Sequence, residues 1–479
     1  MNTLLLPPPP SPVAAPPGGA PAPTSRRAVA VLGGGITGLC AAWQLRQRGV
    51  PVVVFESGAH AGGVLASVRE GPWLRETGPN TLFENSPEIA AFVAGLGLGP
   101  RRLEAAPAAR RRFIVRSGRL VPLPDTPPRF FASRFLSWRA KLGLLGEPFR
   151  PPAPADREES VAEFVTRRLG PEFLDYIVNP FVAGVYAGDP AQLSVRHAFP
   201  KLAALEREHG SLIRGALRRR SSRTGPSGAL ISFPDGLAEL PAALARGLGE
   251  SLRLHHRVTR VRPAGAEWRV GFEIHGLALE ENFSAVICAL PPDALARVRF
   301  EGVPAADGLA GLREIPQPPV ASVFLGFRRE DVAHPLDGFG MLTPAVAGRQ
   351  ILGTLFSSTL FPGRAPEGHV ALTTFVGGAR QPDLARQDDA TLNAIVLREL
   401  DALLGIRSCP VIARIQRWPR AIPQYTVGYQ RFKDLCAAAE AGAPGLHIGG
   451  TARDGVSLSN CITSGRRLAE AAARTWAGA

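Results

Sequence analysis

Three closely spaced glycines near the start of the chain match the pattern of a nucleotide-binding turn. Gly33, Gly35 and Gly38 follow the apolar run 28–32 with the spacing G-x-G-x-x-G, and an apolar helical pattern comes next. A second apolar run ends in Glu56, about 20 residues further on, where dinucleotide-binding folds place the acid that binds a ribose. A coincidental glycine turn is the alternative. The pattern predicts a strand, turn, helix and strand that hold the diphosphate of a dinucleotide at the helix N-terminus.

The doublet Gly62–Gly63 distinguishes between dinucleotides. Nicotinamide dehydrogenases need no glycine pair at this distance from the acid, whereas flavoproteins of the glutathione reductase and amine oxidase type have one where the backbone approaches the FAD diphosphate. A flexible surface turn is the alternative. We therefore predict FAD as the cofactor. The residues expected to contact it in this part of the chain are Gly33, Gly34, Gly35, Ile36, Thr37, Gly38, Glu56, Ser57, Gly62 and Gly63.

The chain is large and strongly basic. Its 479 residues are enough for two or three domains, and its formal net charge is +14. Only three of the 55 basic residues are lysines. Arginine clusters at 110–112 and 218–220 are not interleaved with a recognisable nucleic-acid fold. The charge therefore favours an anionic membrane surface or an acidic small molecule as a partner, and we expect no nucleic acid.

Metal and hydrolase chemistry have little support in the sequence. The nine histidines form no ligand-spaced set with cysteine or acid, and no G-x-S-x-G motif is present. We expect no metal. The five cysteines are scattered without a C-x-x-C pair, which is typical of reduced thiols in a cytosolic protein.

One segment has the composition of a membrane-surface element, although no apolar run is long enough for a spanning helix. Residues 127–146 mix bulky apolar and aromatic side chains with Arg129, Arg134, Arg139 and Lys141. Such a segment can lie in a membrane interface with aromatics in the lipid and cations at the headgroups. A buried helix whose arginines reach outward is the alternative. We favour the membrane interface.

Six further motifs carry a resemblance to a known family. They occur in that family's order, cover nearly everything after residue 28, and are more specific than the nucleotide-binding pattern. In this chain they resemble motifs of the protoporphyrinogen oxidase family. They are NPFVAGVYAGDPAQLSVRHAFPKL (179–202), GFGML (338–342), LGTLFSS (352–358), TTFVGGAR (373–380), IPQYTVG (422–428) and GLHIGGTARDGVSLSNCITSG (445–465).

The resemblance implies an activity late in haem or chlorophyll synthesis. The chain is identified as a bacterial member similar to the mitochondrial and plastid enzymes. Its expected reaction is the FAD-dependent oxidation of protoporphyrinogen IX to protoporphyrin IX, with O2 as acceptor and H2O2 as product. Oxidation of coproporphyrinogen III in the same pocket is one alternative. A non-catalytic porphyrin-binding flavoprotein is another, although the intact glycine pattern argues against it.

The resemblance also implies a mixed α/β fold in three parts. These are an FAD-binding Rossmann-like domain, a substrate domain like that of p-hydroxybenzoate hydroxylase, and a helical membrane-binding domain. The expected boundaries are a disordered Pro/Ala-rich tail (1–27), three FAD-binding segments (28–85, 225–299 and 440–479), a helical membrane-binding and substrate-channel region (86–224), and the substrate domain (300–439).

Matching the motifs residue by residue gives the expected substrate contacts. Arg112 falls where the family has an arginine facing a substrate propionate, and a guanidinium fork suits a carboxylate. Phe375 is the aromatic expected to stack on a pyrrole ring. Leu342 and Leu355 are expected to sandwich the opposite ring, with Phe339 lining the pocket and Gly184 leaving room for the tetrapyrrole. Core packing is the alternative for each apolar residue. We name no catalytic side chain, because the flavin performs the chemistry.

The closing motif and one earlier valine complete the expected FAD site, and four positions depart from the family pattern. The added contacts are Val258, Gly450, Thr451, Val456, Ser457 and Leu458, with the helix from Val456 directing its N-terminal dipole at the flavin. The departures are Val64 and Ala66, where a basic or polar residue is common, Tyr429 in place of histidine, and Thr451 in place of Asn or Ala.

Location and partners follow from the same resemblance. We expect a cytoplasmic protein held peripherally on the inner face of the bacterial cell membrane. Expected partners are the porphyrinogen substrate, O2, an anionic membrane surface and ferrochelatase, and a homodimer is compatible with the sequence.

Overall fold

The structure is a computed structural model that describes residues 27–154, 157–222 and 228–478. The Pro/Ala-rich tail predicted over residues 1–27 lies outside this range, apart from Arg27. The chain forms a mixed α/β fold built on five β-sheets within the described residues, as predicted for the fold class.

The strands, in chain order, range from two to nine residues. They are β1 Val29–Leu32, β2 Val52–Phe55, β3 Ser67–Glu70, β4 Trp73–Glu76, β5 Leu82–Glu84, β6 Leu103–Glu104, β7 Phe113–Arg116, β8 Arg119–Pro122, β9 Ala229–Ser232, β10 Leu252–Arg253, β11 Arg257–Ala264, β12 Glu267–Ile274, β13 Leu277–Phe283, β14 Ala285–Cys288, β15 Arg299–Phe300, β16 Val320–Arg328, β17 Gly340–Leu342, β18 Gly353–Leu355, β19 His369–Gly377, β20 Ile412–Trp418 and β21 Leu446–Ile448.

The helices are concentrated between β8 and β9 and at the C-terminus. They are α1 Ile36–Gln47, α2 Pro87–Gly95, α3 Pro127–Ala132, α4 Trp138–Leu145, α5 Val161–Leu169, α6 Pro171–Phe173, α7 Asn179–Tyr186, α8 Val195–Ala198, α9 Pro200–His209, α10 Leu212–Ser222, α11 Glu239–Leu248, α12 Pro292–Leu295, α13 Ser357–Leu360, α14 Asp389–Leu404, α15 Gln430–Ala441 and α16 Leu458–Gly478. No helix in the described ranges combines the length and the apolar character that crossing a bilayer requires.

A five-stranded parallel sheet positions the predicted nucleotide turn. Its order is β10-β2-β1-β14-β21, and every neighbouring pair in it is parallel. Successive residues of β1 alternate between two hydrophobic cores: Ala30 and Leu32 face one, and Val29 and Val31 face the other. Because both faces are covered, the strand is apolar throughout. The predicted strand, turn, helix and strand are confirmed as β1, α1 and β2.

A second, seven-stranded sheet has the order β20-β16-β19-β18-β17-β7-β8. β7 and β8 belong to the region predicted as helical, so that prediction is wrong for residues 103–122. The two strands form a hairpin around Ser117 and Gly118, which have φ values of 50° and 74°. Two successive positive φ values are what a type I′ turn requires, and such turns match the twist of paired strands. Beyond residue 126, helices predominate up to Ser222.

The predicted membrane-interface segment divides between core and surface. Phe135 and Leu136 are buried, while Trp138, Leu142 and Leu145 are exposed. The exposed three recur at i, i+4 and i+7 on α4 and therefore lie on one helix face. The alternative of a buried segment is thus correct for the turn before α4, and the exposed apolar face belongs to α4 itself.

Lys141 also differs from its expected role at a lipid headgroup. It is buried, and its ammonium group donates hydrogen bonds to the carbonyl oxygens of Phe131, at 2.9 Å, and Ser133. A buried ammonium group needs such acceptors. Lys141 therefore closes α3 against α4 rather than facing solvent.

Candidate functional site: a dinucleotide cleft beside an apolar sheet face

The two N-terminal glycine motifs are in direct contact. The Gly62 N–H donates to the carbonyl oxygen of Gly34 at 2.8 Å, and Gly35 and Gly62 form an isolated parallel bridge. Gly62 has a φ of +114°, and a β-carbon there would lie 2.8 Å from the carbonyl oxygen of Leu65. The pairing of the motifs agrees with a common ligand. Gly62 is also required by the protein itself, because a side chain there would meet its own backbone.

Gly35 meets the requirement for a closely approaching ligand. Its φ of −72° suits any residue, and a β-carbon there would have no atom of the described residues within 4 Å. The protein itself therefore gives no reason for glycine at this position. Among the described residues no side chain caps the N-terminus of α1. Free N–H groups and open space over Gly35 fit a diphosphate.

Glu56 directly follows β2, beside this turn. Its carboxylate accepts hydrogen bonds from the Gly34 N–H at 2.8 Å and the Gly58 N–H at 2.7 Å. The segment after β10 runs alongside, since the His256 N–H donates to the carbonyl oxygen of Glu56 at 2.8 Å. That segment leads to half-buried Val258 in β11. Glu56 therefore lies where a dinucleotide-binding fold is expected to place the acid that binds a ribose.

The C-terminal motif lies against the same turn. A β-carbon at Gly450 would be 3.7 Å from the Thr37 side chain, and one at Gly465 would be 2.5 Å from the Thr37 carbonyl oxygen. The last helix begins at Leu458 rather than at Val456. The Ser457 hydroxyl accepts a hydrogen bond from the Asn460 N–H at 3.1 Å, so this side chain caps α16.

An apolar sheet face is formed by Leu342, Leu355 and Phe375. Leu342 and Phe375 lie on either side of Gly353 in one cross-strand row, and Leu355 is two residues further along β18. All three are half-buried, whereas Met341 on the opposite face is buried. This alternation leaves one side of the sheet available to an apolar ligand.

Gly184 on α7 contacts the apolar sheet face. A β-carbon at Gly184 would lie 2.6 Å from Cδ2 of Leu342, so the glycine allows α7 to approach β17 closely. The expectation that Gly184 makes room for a ligand is therefore only part of its role, because it first makes room for Leu342.

Arg112 stands at one end of this face, just before β7. Its guanidinium carbon lies 5.6 Å from the centre of the Phe339 ring, and the side chain is exposed. Arg111 is paired with Asp337. No carboxylate of the described residues lies within 4.0 Å of the Arg112 guanidinium, which leaves it available for an acidic ligand.

Comparison with known proteins gives the family. The chain is 35% identical to the mitochondrial protoporphyrinogen oxidase of Nicotiana tabacum, an alignment that covers 93% of this chain and 95% of that protein. The chain belongs to the protoporphyrinogen oxidase family. Residues 36–473 also match the family model of flavin containing amine oxidoreductases.

Other relatives agree with this membership. Coproporphyrinogen III oxidase of Bacillus subtilis is 26% identical over 92% of this chain and 97% of its own length. An Exiguobacterium protein to which protoporphyrinogen oxidase activity has been attributed has a similar structure, with a TM-score of 0.77 and 25% identity over 93% of this chain and 98% of its own. Putrescine oxidase, at 17% identity and a TM-score of 0.68 over 94% of this chain and 100% of its own, shares the fold. The protein is an oxidoreductase, and FAD is its cofactor.

Arg380 and Asn179 form a polar brace beside the apolar sheet face, and neither residue was predicted to belong to the site. Arg380 donates to the carbonyl oxygen of Thr343 at 2.9 Å and to the Asn179 side chain at 3.1 Å. The Asn179 oxygen also accepts from the Ala345 N–H at 2.8 Å. Burial lowers the pKa of Arg380. Asn179 begins the motif 179–202 and Arg380 ends the motif 373–380, and these positions are the one sequence signal for them.

Glu76 is a second missed residue, at the junction of the β3–β4 hairpin with the FAD-binding segments. Its carboxylate accepts hydrogen bonds from Ser67 at 2.5 Å and from the Leu237 N–H at 3.0 Å, with Arg364 3.7 Å away. Burial raises its pKa to about 7. Glu76 ties the hairpin to the segment before α11. It could not be predicted from the sequence, because it belongs to no recognisable motif.

Replacing Gly35 with valine tests the diphosphate site. We expect Gly35→Val to fold and to purify without FAD, because the backbone conformation is open to valine while the side chain fills the space of the diphosphate. Absorbance of the purified protein near the flavin bands measures occupancy. Gly99→Val is the matched control, since Gly99 also has no strained φ and an uncrowded β-carbon position. Full FAD occupancy in Gly35→Val would contradict the assignment.

Proposed function

We propose that the protein oxidises protoporphyrinogen IX to protoporphyrin IX, with O2 as electron acceptor and H2O2 as the second product. The observation that carries this proposal is the apolar sheet face with the unpaired Arg112 guanidinium at its end. A porphyrinogen has the matching chemistry, namely a large apolar ring with carboxylates at its edge. The identity to the tobacco enzyme supports the same substrate.

The chain's contribution to the reaction is binding, orientation and exclusion of water. FAD, when bound, supplies the electron-accepting chemistry. Leu342, Leu355 and Phe375 would hold the ring by apolar contact, and Arg112 would fix its direction through one propionate. The start of α16 would offer free backbone N–H groups and a positive dipole end to negative charge that develops in the cofactor. No general base is required of the protein in this scheme.

Coproporphyrinogen III is the second candidate substrate, supported by the relatives of that name at 26% identity. It has more carboxylates than protoporphyrinogen IX and would place charge against the apolar sheet face. An unpaired carboxylate against apolar side chains is costly. The apolar character of Leu342, Leu355 and Phe375 therefore favours protoporphyrinogen IX.

Turnover of the two porphyrinogens, measured side by side by porphyrin fluorescence, tests which of them is the preferred substrate. We expect the FAD-loaded protein to have the higher kcat/KM for protoporphyrinogen IX and to consume O2 in the same assay. A higher kcat/KM for coproporphyrinogen III would reverse the order of the two candidates. Absence of turnover of either, with FAD bound, would leave a porphyrin-binding flavoprotein.

We expect Arg112→Ala to raise KM far more than it lowers kcat, because a propionate contact is made equally in the ground and transition states. One charge-assisted contact corresponds to a loss of about 1.5–3 kcal/mol in kcat/KM. Lysine should restore only part of this, since a point charge lacks the planar fork. Arg111→Ala is the control, because Arg111 already binds Asp337. Equal damage from both variants would mean that the motif alignment is displaced by one residue.

The proposal extends to a peripheral site on the inner face of the cell membrane, where an apolar product can pass to ferrochelatase. Four exposed apolar side chains follow one another in this region. They are Trp138, which is 66% exposed, Leu142, Leu145, and Phe149, which is 81% exposed. We call these four side chains the apolar ridge. Exposed Arg139 lies beside them and suits anionic headgroups.

The turn that presents Phe149 is rigidly held. Glu147 is completely buried, pairs with buried Arg168, and accepts hydrogen bonds from the Leu212 N–H at 2.9 Å and the Ile213 N–H at 3.2 Å. A buried charge with this many partners fixes the backbone on either side of it. An exposed phenylalanine on a fixed turn is suited to insertion between lipids.

We expect the triple variant Trp138→Ser, Leu142→Ser, Phe149→Ser to lose binding to vesicles that contain anionic lipid, because it removes most of the apolar ridge. Co-sedimentation with the vesicles measures this. Leu277→Ser with Leu279→Ser is the control, since both are exposed apolar residues on β13. If the wild-type protein itself stays in the supernatant, the membrane proposal fails.

A further inference from the structure

Two buried tyrosines contact the loop between β21 and α16. Tyr425 is 2% exposed and Tyr429 is fully buried, with ring centres 4.4 Å apart. Neither belongs to the apolar sheet face, and neither was expected to bind substrate or cofactor. Both direct their hydroxyl groups at residues 449–457, which we call the FAD loop.

The Tyr425 hydroxyl joins the two ends of the FAD loop. It accepts a hydrogen bond from the Gly455 N–H at 2.8 Å and donates one to the carbonyl oxygen of Thr451 at 2.8 Å. A phenol can do both at once, because it has one O–H and free lone pairs. The Tyr429 hydroxyl makes one such bond, donating to the carbonyl oxygen of Ala452 at 2.8 Å.

Burial keeps both phenols neutral and therefore able to donate. It raises the pKa of Tyr425 and of Tyr429 well above the usual range of a phenol. Gly450 and Gly455 have φ values of +89° and +119°. Within the loop the Arg453 and Asp454 N–H groups donate to the Gly450 carbonyl oxygen, at 3.0 and 2.9 Å. The Gly455 N–H and the Thr451 and Ala452 carbonyl oxygens are instead bonded to the two phenols. Removing the Tyr425 hydroxyl would leave the buried Gly455 N–H and the Thr451 carbonyl without their partner.

The other side of Tyr425 is fixed to the helix beside the apolar sheet face. The carbonyl oxygen of Tyr425 accepts from the Ser194 N–H at 2.8 Å, and the side chain of Gln424 donates to the carbonyl oxygen of Tyr186 at 2.8 Å. Tyr186 is the last residue of α7. The backbone that carries the Tyr425 ring is thus held to α7 through Gln424 and to Ser194, just before α8.

We propose that Tyr425 is a positioning residue for FAD, whose hydroxyl holds residues 451–455 in the conformation that presents the start of α16 to the cofactor. The inference depends on the FAD assignment and not on the porphyrinogen substrate. Tyr425 touches the loop rather than the reacting atoms, so its effect is on the retention and the electronic environment of FAD. Tyr429 supports one carbonyl and has the smaller part.

The test is the rate of FAD release from Tyr425→Phe, followed by the increase in flavin fluorescence after dilution, together with the flavin midpoint potential. We expect release to be about 10-fold faster, because two buried backbone groups lose a hydrogen bond each. The potential should change in the same variant. Tyr429→Phe should release FAD only slightly faster than the wild-type protein.

Tyr186→Phe is the matched control for the loss of a buried phenol. The Tyr186 hydroxyl donates to the carbonyl oxygen of Ala198 at 2.7 Å, away from the FAD loop, and burial raises its pKa to about 12. We expect its FAD release rate and potential to be those of the wild-type protein. Equal acceleration in Tyr186→Phe and Tyr425→Phe would mean a general loss of stability and would overturn the proposal.

Hydrogen exchange provides a second measurement that does not depend on the variant folding well. In the wild-type holoprotein the Gly455 amide should be protected, because its only hydrogen-bond acceptor within the described part of the chain is the buried Tyr425 hydroxyl. A Gly455 amide that exchanges as fast as an exposed one would refute the role of Tyr425, as would FAD release from Tyr425→Phe at the wild-type rate with an unchanged potential.

Discussion

Close backbone packing around one cleft is the constraint on which the rest of the structure depends. A β-carbon at Gly38 would collide with the carbonyl oxygen of Gly33, and one at Gly465 would reach the carbonyl oxygen of Thr37. The first turn of α1 therefore packs at very close range against the middle of α16, although the two helices come from opposite ends of the chain. The intervening segments must be long enough to return the chain to the same parallel sheet.

Local patterns predicted the elements around the candidate FAD site well, because the turn, the helix and the acid lie within one short segment. β1, α1 and Glu56 are where the spacing places them. The same patterns did not show a further reason for Gly62, whose β-carbon position is filled by the carbonyl oxygen of Leu65. A sequence can show that a position requires glycine, but the atoms that impose the requirement come from elsewhere in the fold.

Contacts between distant segments account for what the sequence did not predict. The β7–β8 hairpin joins the seven-stranded sheet because β7 pairs with β17, and Leu136 is buried because α3, α4 and the segment around Tyr176 close over it. Neither partner is visible in the local pattern. Tyr429, a departure from the family pattern, is explained only by the Ala452 carbonyl that its hydroxyl reaches. The prediction of substrate contacts needed the family resemblance, since strands as short as β17 and β18 show no useful alternation.

The segment that contains Gln424 and Tyr425 sets the distance between the two halves of the site. Gln424 is bonded to the end of α7, the helix that packs on Leu342, and Tyr425 is bonded to the FAD loop. A displacement of this segment would therefore move the apolar sheet face and the cofactor relative to each other. Oxidation of a bound ring by a flavin needs the two held at a fixed separation, and rigid, fully bonded elements provide this better than side-chain contact across a cleft. The site thus owes its geometry to residues that need touch neither ligand.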